Sequence, residues 1–556
     1  MIILLSVLIA FLAQPLAAQA VTDLWNIDSI VDYSWMDVET LWTADTSIIN
    51  SLGSEIIPLK VGEIMFSSFG ADSGELRIQG FFAYPSSGTN LTGLVINHGM
   101  IMDGELSMAE TFAAGLNSFT LAISAPGHGT STGGSAYNFE NLIWSYPNPR
   151  NNHFYQFAYA TMRAINYMDS LTIVNSDWLG VIGFSGGADA AIIASGIDDR
   201  IAICIPIIPQ TNFACGAADS GWIIDVFAET GISPDDSNVV YLENFISPIN
   251  YFDYIDGFTV MITASQDEFE PLNCVAYSFP LLDSSRSRLE IVPNFDHHCY
   301  FTTYALTGDY DSFDNTTTFY SKILGISNSV IDLLKLGSPV PRMPSVEAFE
   351  LEDSVEFVAD VPVEYWASND VKLWFSVDSA WTFDFVQMEN EMPDLGEYSV
   401  MLPRTRANSL ENIIYYVESR CTPIFWLSSL PHVPDDMVFN LRPFPRLFFG
   451  LDIKETKITK PDNIYLHTYP NPFNSSVKIS IETQDFAPLQ IEIFDLIGQK
   501  IEVLYPYATS LQKKEYPGGA NEIIWTPNEH VKSGIYLIRI YLDSGETALK
   551  RIVYLK

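Results

Sequence analysis

Ser185 stands in Gly183-Phe184-Ser185-Gly186-Gly187, a G-x-S-x-G pattern set between two unlike segments. Residues 178–182 are a short apolar run, and residues 188–194 are small and helix-compatible. A strand, a sharp turn and a helix together form the context that thrusts a serine hydroxyl out as a nucleophile. The glycines serve that turn sterically. Gly183 and Gly187 let strand and helix approach closely, and Gly186 keeps the turn uncrowded. The bland reading is a strand-to-helix turn without chemistry.

A serine hydroxyl is a weak nucleophile at neutral pH. It needs a base, usually His, and a carboxylate to orient that base. Candidates for both lie downstream. Residues 258–263 read as a buried strand, and Asp267 falls in the loop past its carboxyl end, with Glu268 and Glu270 as substitutes. Residues 289–293 read as the next strand, followed by His297 and His298. The Pro-Asn-x-x-His spacing puts His297 nearest the strand end, so it is the preferred base. His298 is the alternative base, or else a buried structural histidine.

With these motifs in this order, residues from about 55 to 336 resemble the α/β-hydrolase superfamily. Within it they look most like secreted esterases of the acetylxylan esterase and dienelactone hydrolase type. Residues 78–85 look like the early hairpin, residues 125–133 (Ala-Pro-Gly-His-Gly-Thr-Ser-Thr-Gly) like the loop after the next strand, and residues 159–168 like the helix before the nucleophile strand. The resemblance implies an α/β fold: a mostly parallel sheet flanked by helices. It also implies a Ser185–Asp267–His297 triad and an acyl-enzyme. The Gly186 N–H would be one oxyanion donor. His98-Gly99 is similar to the His-Gly of hydrolase oxyanion loops, which makes the Met100 N–H the second, with His98 itself structural. There are departures. Ser124 replaces an Asp common before the Pro-Gly-His-Gly loop, and Gly186 stands where the acetylxylan esterase branch often has Gln. Residues 210–257, with Trp222, Phe227, Tyr241, Phe245, Tyr251 and Phe252, are too long for a simple connection and read as a cap over the site. The bland reading is a surface insertion.

The 556 residues exceed one domain. The formal net charge is −40, yet residues 451–556 hold 12 Lys+Arg against 13 Asp+Glu, so the excess acidity lies before them. Such a surface disfavours nucleic acid and anionic membranes and favours solubility. Residues 2–13 are apolar but too few to span a bilayer, and Ala18-Gln19-Ala20 fits a cleavage site; together they read as a signal peptide cut after Ala20. Of five cysteines, Cys274 with Cys299 and Cys204 with Cys215 are expected as pairs. No His/Cys spacing suits zinc, and no cofactor is called for.

Residues 337–344, rich in Pro, read as a linker. Alternating patterns in 371–377 and 413–418 suggest that residues 345–450 form an immunoglobulin or fibronectin III-like β-sandwich serving as a spacer. Residues 460–556 open with Tyr469-Pro-Asn-Pro-Phe-Asn and carry Ser533-Gly-Ile-Tyr near their end. They resemble the type A sorting domain of type IX secretion cargo, a second β-sandwich. That resemblance implies export, to the medium or the cell surface, and an outer-membrane secretion machinery as partner. The leading expectation is a serine hydrolase cleaving carboxylic esters, with acylated polysaccharide as the expected substrate. The alternatives are a serine peptidase of the same fold and a non-catalytic surface binding protein.

Overall fold

The computed structural model describes residues 21–49, 55–100, 102–136, 140–218, 231–233, 236–297, 314–362, 370–377, 383–392, 396–422, 425–434, 464–469, 475–483, 489–495, 500–504, 519–528, 531, 534–542 and 547–554. The expected signal peptide, His298 and Cys299 lie outside them. Two compact units divide the chain, residues 1–444 and 445–556.

Nine strands build the first sheet: β1 (Glu39–Ile49), β2 (Ile56–Phe69), β3 (Glu75–Pro85), β4 (Leu91–Asn97), β5 (Ser118–Ile123), β6 (Val174–Phe184), β7 (Ile201–Ile207), β8 (Phe258–Ala264) and β9 (Ser287–Val292). Their order is β1-β2-β3-β5-β4-β6-β7-β8-β9. β1, β2 and β3 pair antiparallel, and β3 meets β5 antiparallel. From β5 to β9 every pairing is parallel. β4 and β5, in the middle of the sheet, are buried along their whole length, as strands covered on both faces must be. That is why they read as continuous apolar runs rather than alternations. The strand order reverses at β4, which parallel sheets do where a site is to open beyond their carboxyl ends. With helices on both faces, this is the α/β-hydrolase arrangement, preceded by one extra antiparallel strand, β1.

The helices that matter for the site are α1 (Leu106–Leu116), α2 (His153–Asp169), α3 (Gly186–Ser195), α4 (Phe213–Ala218), α5 (Ser237–Tyr241), α6 (Leu272–Ser278) and α7 (Asp314–Lys335). α2 is nearly wholly buried. Its Arg163 lies inside the fold because residues 29–35 wrap it. Arg163 Nη1 donates to the carbonyls of Ile30 and Asp32, both at 2.7 Å, and the guanidinium lies 3.8 Å from the Trp35 ring centre. No helix among the described residues is long and apolar enough to cross a membrane.

Eight further strands follow in the same unit: β10 (Ser345–Glu350), β11 (Ser354–Asp360), β12 (Val371–Ser376), β13 (Asp384–Gln387), β14 (Glu389–Met392), β15 (Glu397–Pro403), β16 (Ile414–Thr422) and β17 (Phe425–Ser428). They make two four-stranded antiparallel sheets, β10-β11-β15-β14 and β13-β12-β16-β17. Val355, Phe357, Leu373, Tyr415 and Val417 fill the space between these sheets. This sandwich is not suspended on a free spacer. Arg288 of β9 donates to the carbonyls of Val340 and Pro341, and Val340 is buried. Phe425 and Leu427 of β17 share one apolar core with Val292, Phe295 and Phe319.

The second unit, by itself, is another two-sheet β structure. β18 (Ile464–Tyr469), β19 (Val477–Thr483) and β22 (Gly519–Trp525) form one sheet; β20 (Leu489–Asp495), β21 (Lys500–Leu504), β23 (Gly534–Leu542) and β24 (Thr547–Tyr554) form the other. Its core gathers Val477, Ile491, Ile493, Trp525 and Ile538.

Candidate active site

β6 ends at Phe184 and α3 begins at Gly186, so Ser185 alone makes the turn. Its backbone sits at φ 51°, ψ −125°, a region that costs a non-glycine residue of the order of 1–3 kcal/mol. The surroundings enforce it. Ser185 N donates to Ile207 O at 2.9 Å, and a Cβ on Gly183 would fall 2.2 Å from Gly187 O. A Cβ on Gly187 would fall 2.3 Å from His98 O. Both glycines are therefore demanded by close backbone approach. At Gly186 a Cβ would meet Met100 Cγ at 2.3 Å, so a larger residue there would require the Met100 side chain to move.

The loop after β8 delivers Asp267, and the turn after β9 delivers His297. His297 Nε2 lies 2.7 Å from Ser185 Oγ. His297 Nδ1 lies 2.8 and 3.0 Å from the two Asp267 carboxylate oxygens. Asp267 is only 1% exposed, and its Oδ1 also accepts the Phe269 and Glu270 amides at 2.8 and 3.1 Å. These donors compensate a buried negative charge and aim it at the imidazole. Burial pushes the His297 pKa down, but the charge and hydrogen bond of Asp267, with Glu268 and Asp296 nearby, outweigh it and raise it above the usual imidazole value.

The two weighed substitutes for Asp267 are otherwise engaged. Glu268 Oε2 accepts the His297 backbone N–H at 3.1 Å. Glu270 accepts from Thr211 N at 3.1 Å and from Thr211 Oγ1, and burial pushes its carboxyl well above the usual range.

Beside Ser185, the His98-Gly99-Met100 loop passes close: a Cβ on Gly99 would lie 3.6 Å from Ser185 Cβ. The Gly186 amide is the first of α3, so the helix offers it no acceptor. The Met100 amide bonds no other described residue. His98 is structural: its Nδ1 donates to Gly99 O at 2.6 Å, its Nε2 accepts the Ala125 amide at 2.8 Å, and burial lowers its pKa to about 3. Ser124, in place of the expected Asp, accepts Gly104 N at 3.1 Å.

Three features went unread in the sequence. Phe269 lies flat on the His297 ring. Asp189, one turn along α3, is buried and accepts Gln210 N at 2.6 Å, with its carboxyl pushed well above the usual range. An acidic residue among the Gly, Ala and Ile of this helix was the available signal. The third is a correction of the expected cysteine pairing: Cys215 of α4 is bonded to Cys274 of α6, while Cys204 is free and buried in β7. The cause is local. Thr211 binds Glu270, which brings the start of the 210–257 segment against the helix after the acid loop. In that segment Phe213 packs on Phe154, Tyr241 on Tyr146, and Tyr251 on Trp25. Trp222 and Phe227 lie outside the described residues.

Comparison with known proteins adds two findings. Residues 467–554 match the secretion system C-terminal sorting domain, so the chain carries an export address and is a secreted or cell-surface protein. Solved structures similar to the chain include acetyl xylan esterase 1 from Thermoanaerobacterium sp. JW/SL YS485, at 16% identity and TM-score 0.41 over 54% of this chain and 94% of that one. They also include an acetyl xylan esterase from Paenibacillus sp. R4, at 18% identity and TM-score 0.43 over 53% and 95%. Est1E of Butyrivibrio proteoclasticus, solved with ferulic acid, matches at 15% identity and TM-score 0.33 over 47% and 96%. No curated protein matches the chain in sequence.

Proposed function

We propose that this protein is an exported serine hydrolase that cleaves carboxylic esters, with acyl groups on extracellular polysaccharide as its substrate. The observation that carries the reading is the unbroken relay from Ser185 Oγ through His297 to Asp267, at 2.7 and 2.8 Å. His297 Nε2 takes the Ser185 proton as Oγ attacks the acyl carbon, and the Asp267 carboxylate stabilises the imidazolium. The Gly186 and Met100 amides hold the carbonyl oxygen as it becomes negative. His297 then protonates the departing alkoxide, and water, activated by the same imidazole, releases the acid. The polysaccharide assignment is supported by the export address and by the resemblance of the sequence motifs to acetylxylan esterases. During export the signal peptide would be removed after Ala20, and the C-terminal domain would engage an outer-membrane secretion machinery.

The test is labelling of purified full-length protein with a fluorophosphonate, followed by peptide mapping, beside an ester screen on acetylated xylan. Modification confined to Ser185, and loss of both labelling and acetate release in Ser185→Ala, are expected. Full esterase activity in Ser185→Ala would sink the proposal, and cleavage of peptides alone would move the activity to a peptidase.

A further inference from the structure

His297 is carried by a short turn after β9, the edge strand of the nine-stranded sheet. An edge strand leaves one row of backbone groups without sheet partners. In this chain the following sandwich covers it. Ile291 N donates to Ser428 Oγ at 2.9 Å, and Ser428 Oγ donates to Glu290 Oε2 at 3.2 Å. Lys322 of α7 bridges Glu290 of β9 and Glu418 of β16 inside the fold.

The hold extends into the turn itself. Asn294 adopts φ 60°, in the left-handed region that Asn tolerates better than most residues. Its side chain pairs reciprocally with the backbone of Phe383 in the sandwich. Asn294 Nδ2 donates to Phe383 O, and Phe383 N donates to Asn294 Oδ1, both at 2.8 Å. The Asn294 amide meanwhile donates to Ser265 Oγ at 2.8 Å, in the loop that carries Asp267. A single buried residue thus joins the turn of the base, the loop of the acid and the domain that follows.

We propose that Asn294 is a positioning residue for His297, clamped by the Phe383 backbone, so that the sandwich is a working part of the hydrolytic unit rather than a spacer. The proposal rests on the triad reading above. A displacement of about 1 Å in a reacting group can cost about 10²-fold in rate, and a two-point amide clamp restrains both translation and rotation of the turn. Asn294 and Phe383 are 89 positions apart in sequence, so this restraint exists only when the sandwich is in place.

The test uses the full chain with Asn294→Gly. Glycine accepts φ 60° without strain and removes both bonds to Phe383, so the turn survives while the clamp does not. We expect kcat on 4-nitrophenyl acetate to fall about 10²-fold with KM within about twofold. We also expect the far-downfield Nδ1 proton resonance of His297 to shift or broaden. Asn294→Asp keeps the acceptor for Phe383 N and the left-handed turn, and should recover part of kcat. Unchanged kcat and an unmoved imidazole resonance in folded Asn294→Gly would overturn the proposal. If that variant does not fold, wild-type kcat in Asn294→Asp would overturn it instead. If the wild-type protein fails to react with a fluorophosphonate, the hydrolase reading falls, and the imidazole resonance alone then decides whether Asn294 positions His297.

Discussion

Phe269 lies face to face with His297, the ring centroids 4.0 Å apart and the planes 24° from parallel. The amide of the same residue holds Asp267. Phe269→Ala therefore keeps the carboxylate's donor and removes the plate behind the imidazole. Water gains access to the ring, and the burial that opposes its protonation is relieved. The acid limb of the pH–kcat/KM profile should move to higher pH, and kcat at pH 7 should fall about tenfold. A steady-state pH series on a soluble ester checks both.

Because His297 is held above the ordinary imidazole value and must be neutral to accept the Ser185 proton, the wild-type acid limb should lie above about 6.5. Asp267→Asn removes the charge that raises it and leaves the burial that lowers it. The limb should then drop below about 6.5, while kcat falls by about 10⁴ because the tautomer is no longer enforced. A limb that stays put would mean that Glu268 or Asp296, not Asp267, sets the titration.

His153 offers a stability test with a defined sign. Burial lowers its pKa to about 3, with Nδ1 donating to Gly134 O at 3.1 Å. The folded chain thus refuses a proton that the unfolded chain accepts below about 6.5. The contribution is complete above about 6.5 and is lost as pH falls toward about 3. Buried Asp189 and Glu270 work in the opposite sense, since their raised carboxyls keep protons that the unfolded chain releases. The difference between variants isolates His153. Between pH 6.5 and 5, the stability of His153→Gln should depend on pH less steeply than that of the wild type, by up to about 1.4 kcal/mol per pH unit. Urea melts at the two pH values measure it.

The Cys215–Cys274 bond closes a 59-residue loop. By chain entropy it stabilises the fold by about 4 kcal/mol. Reduction, or Cys215→Ser with Cys274→Ser, should lower the unfolding midpoint by several degrees. Free-thiol counting after unfolding without reductant should leave these two cysteines unlabelled.

The placement of Ser185, and of the loops bearing Asp267 and His297, was legible because each signal is local. A turn whose Cβ positions collide with Gly187 O and His98 O must be written in glycine, and parallel strands buried on both faces must be apolar throughout. The Pro-Asn-x-x-His spacing was readable for the same reason. Non-local facts were not legible. The cysteine pairing depends on how Thr211 meets Glu270, 59 residues on, and sequence spacing contains no term for that. The prolines of 337–344 read as a linker, and nothing near them in sequence reveals that Arg288 binds the carbonyls of Val340 and Pro341. The stacking of Phe269 on His297 was not legible either, since the two residues come from different loops.

The apolar core common to β9 and β17 also bears on how such a chain can be inherited. A recombination event falling in the Pro-rich stretch 337–344 would separate the catalytic sheet from the strand that finishes its edge, and the daughter gene would encode a bare, sticky border. The viable seam lies near residue 444, where the compact units part. A cut meant to spare the catalytic sheet must therefore leave the sandwich attached to it.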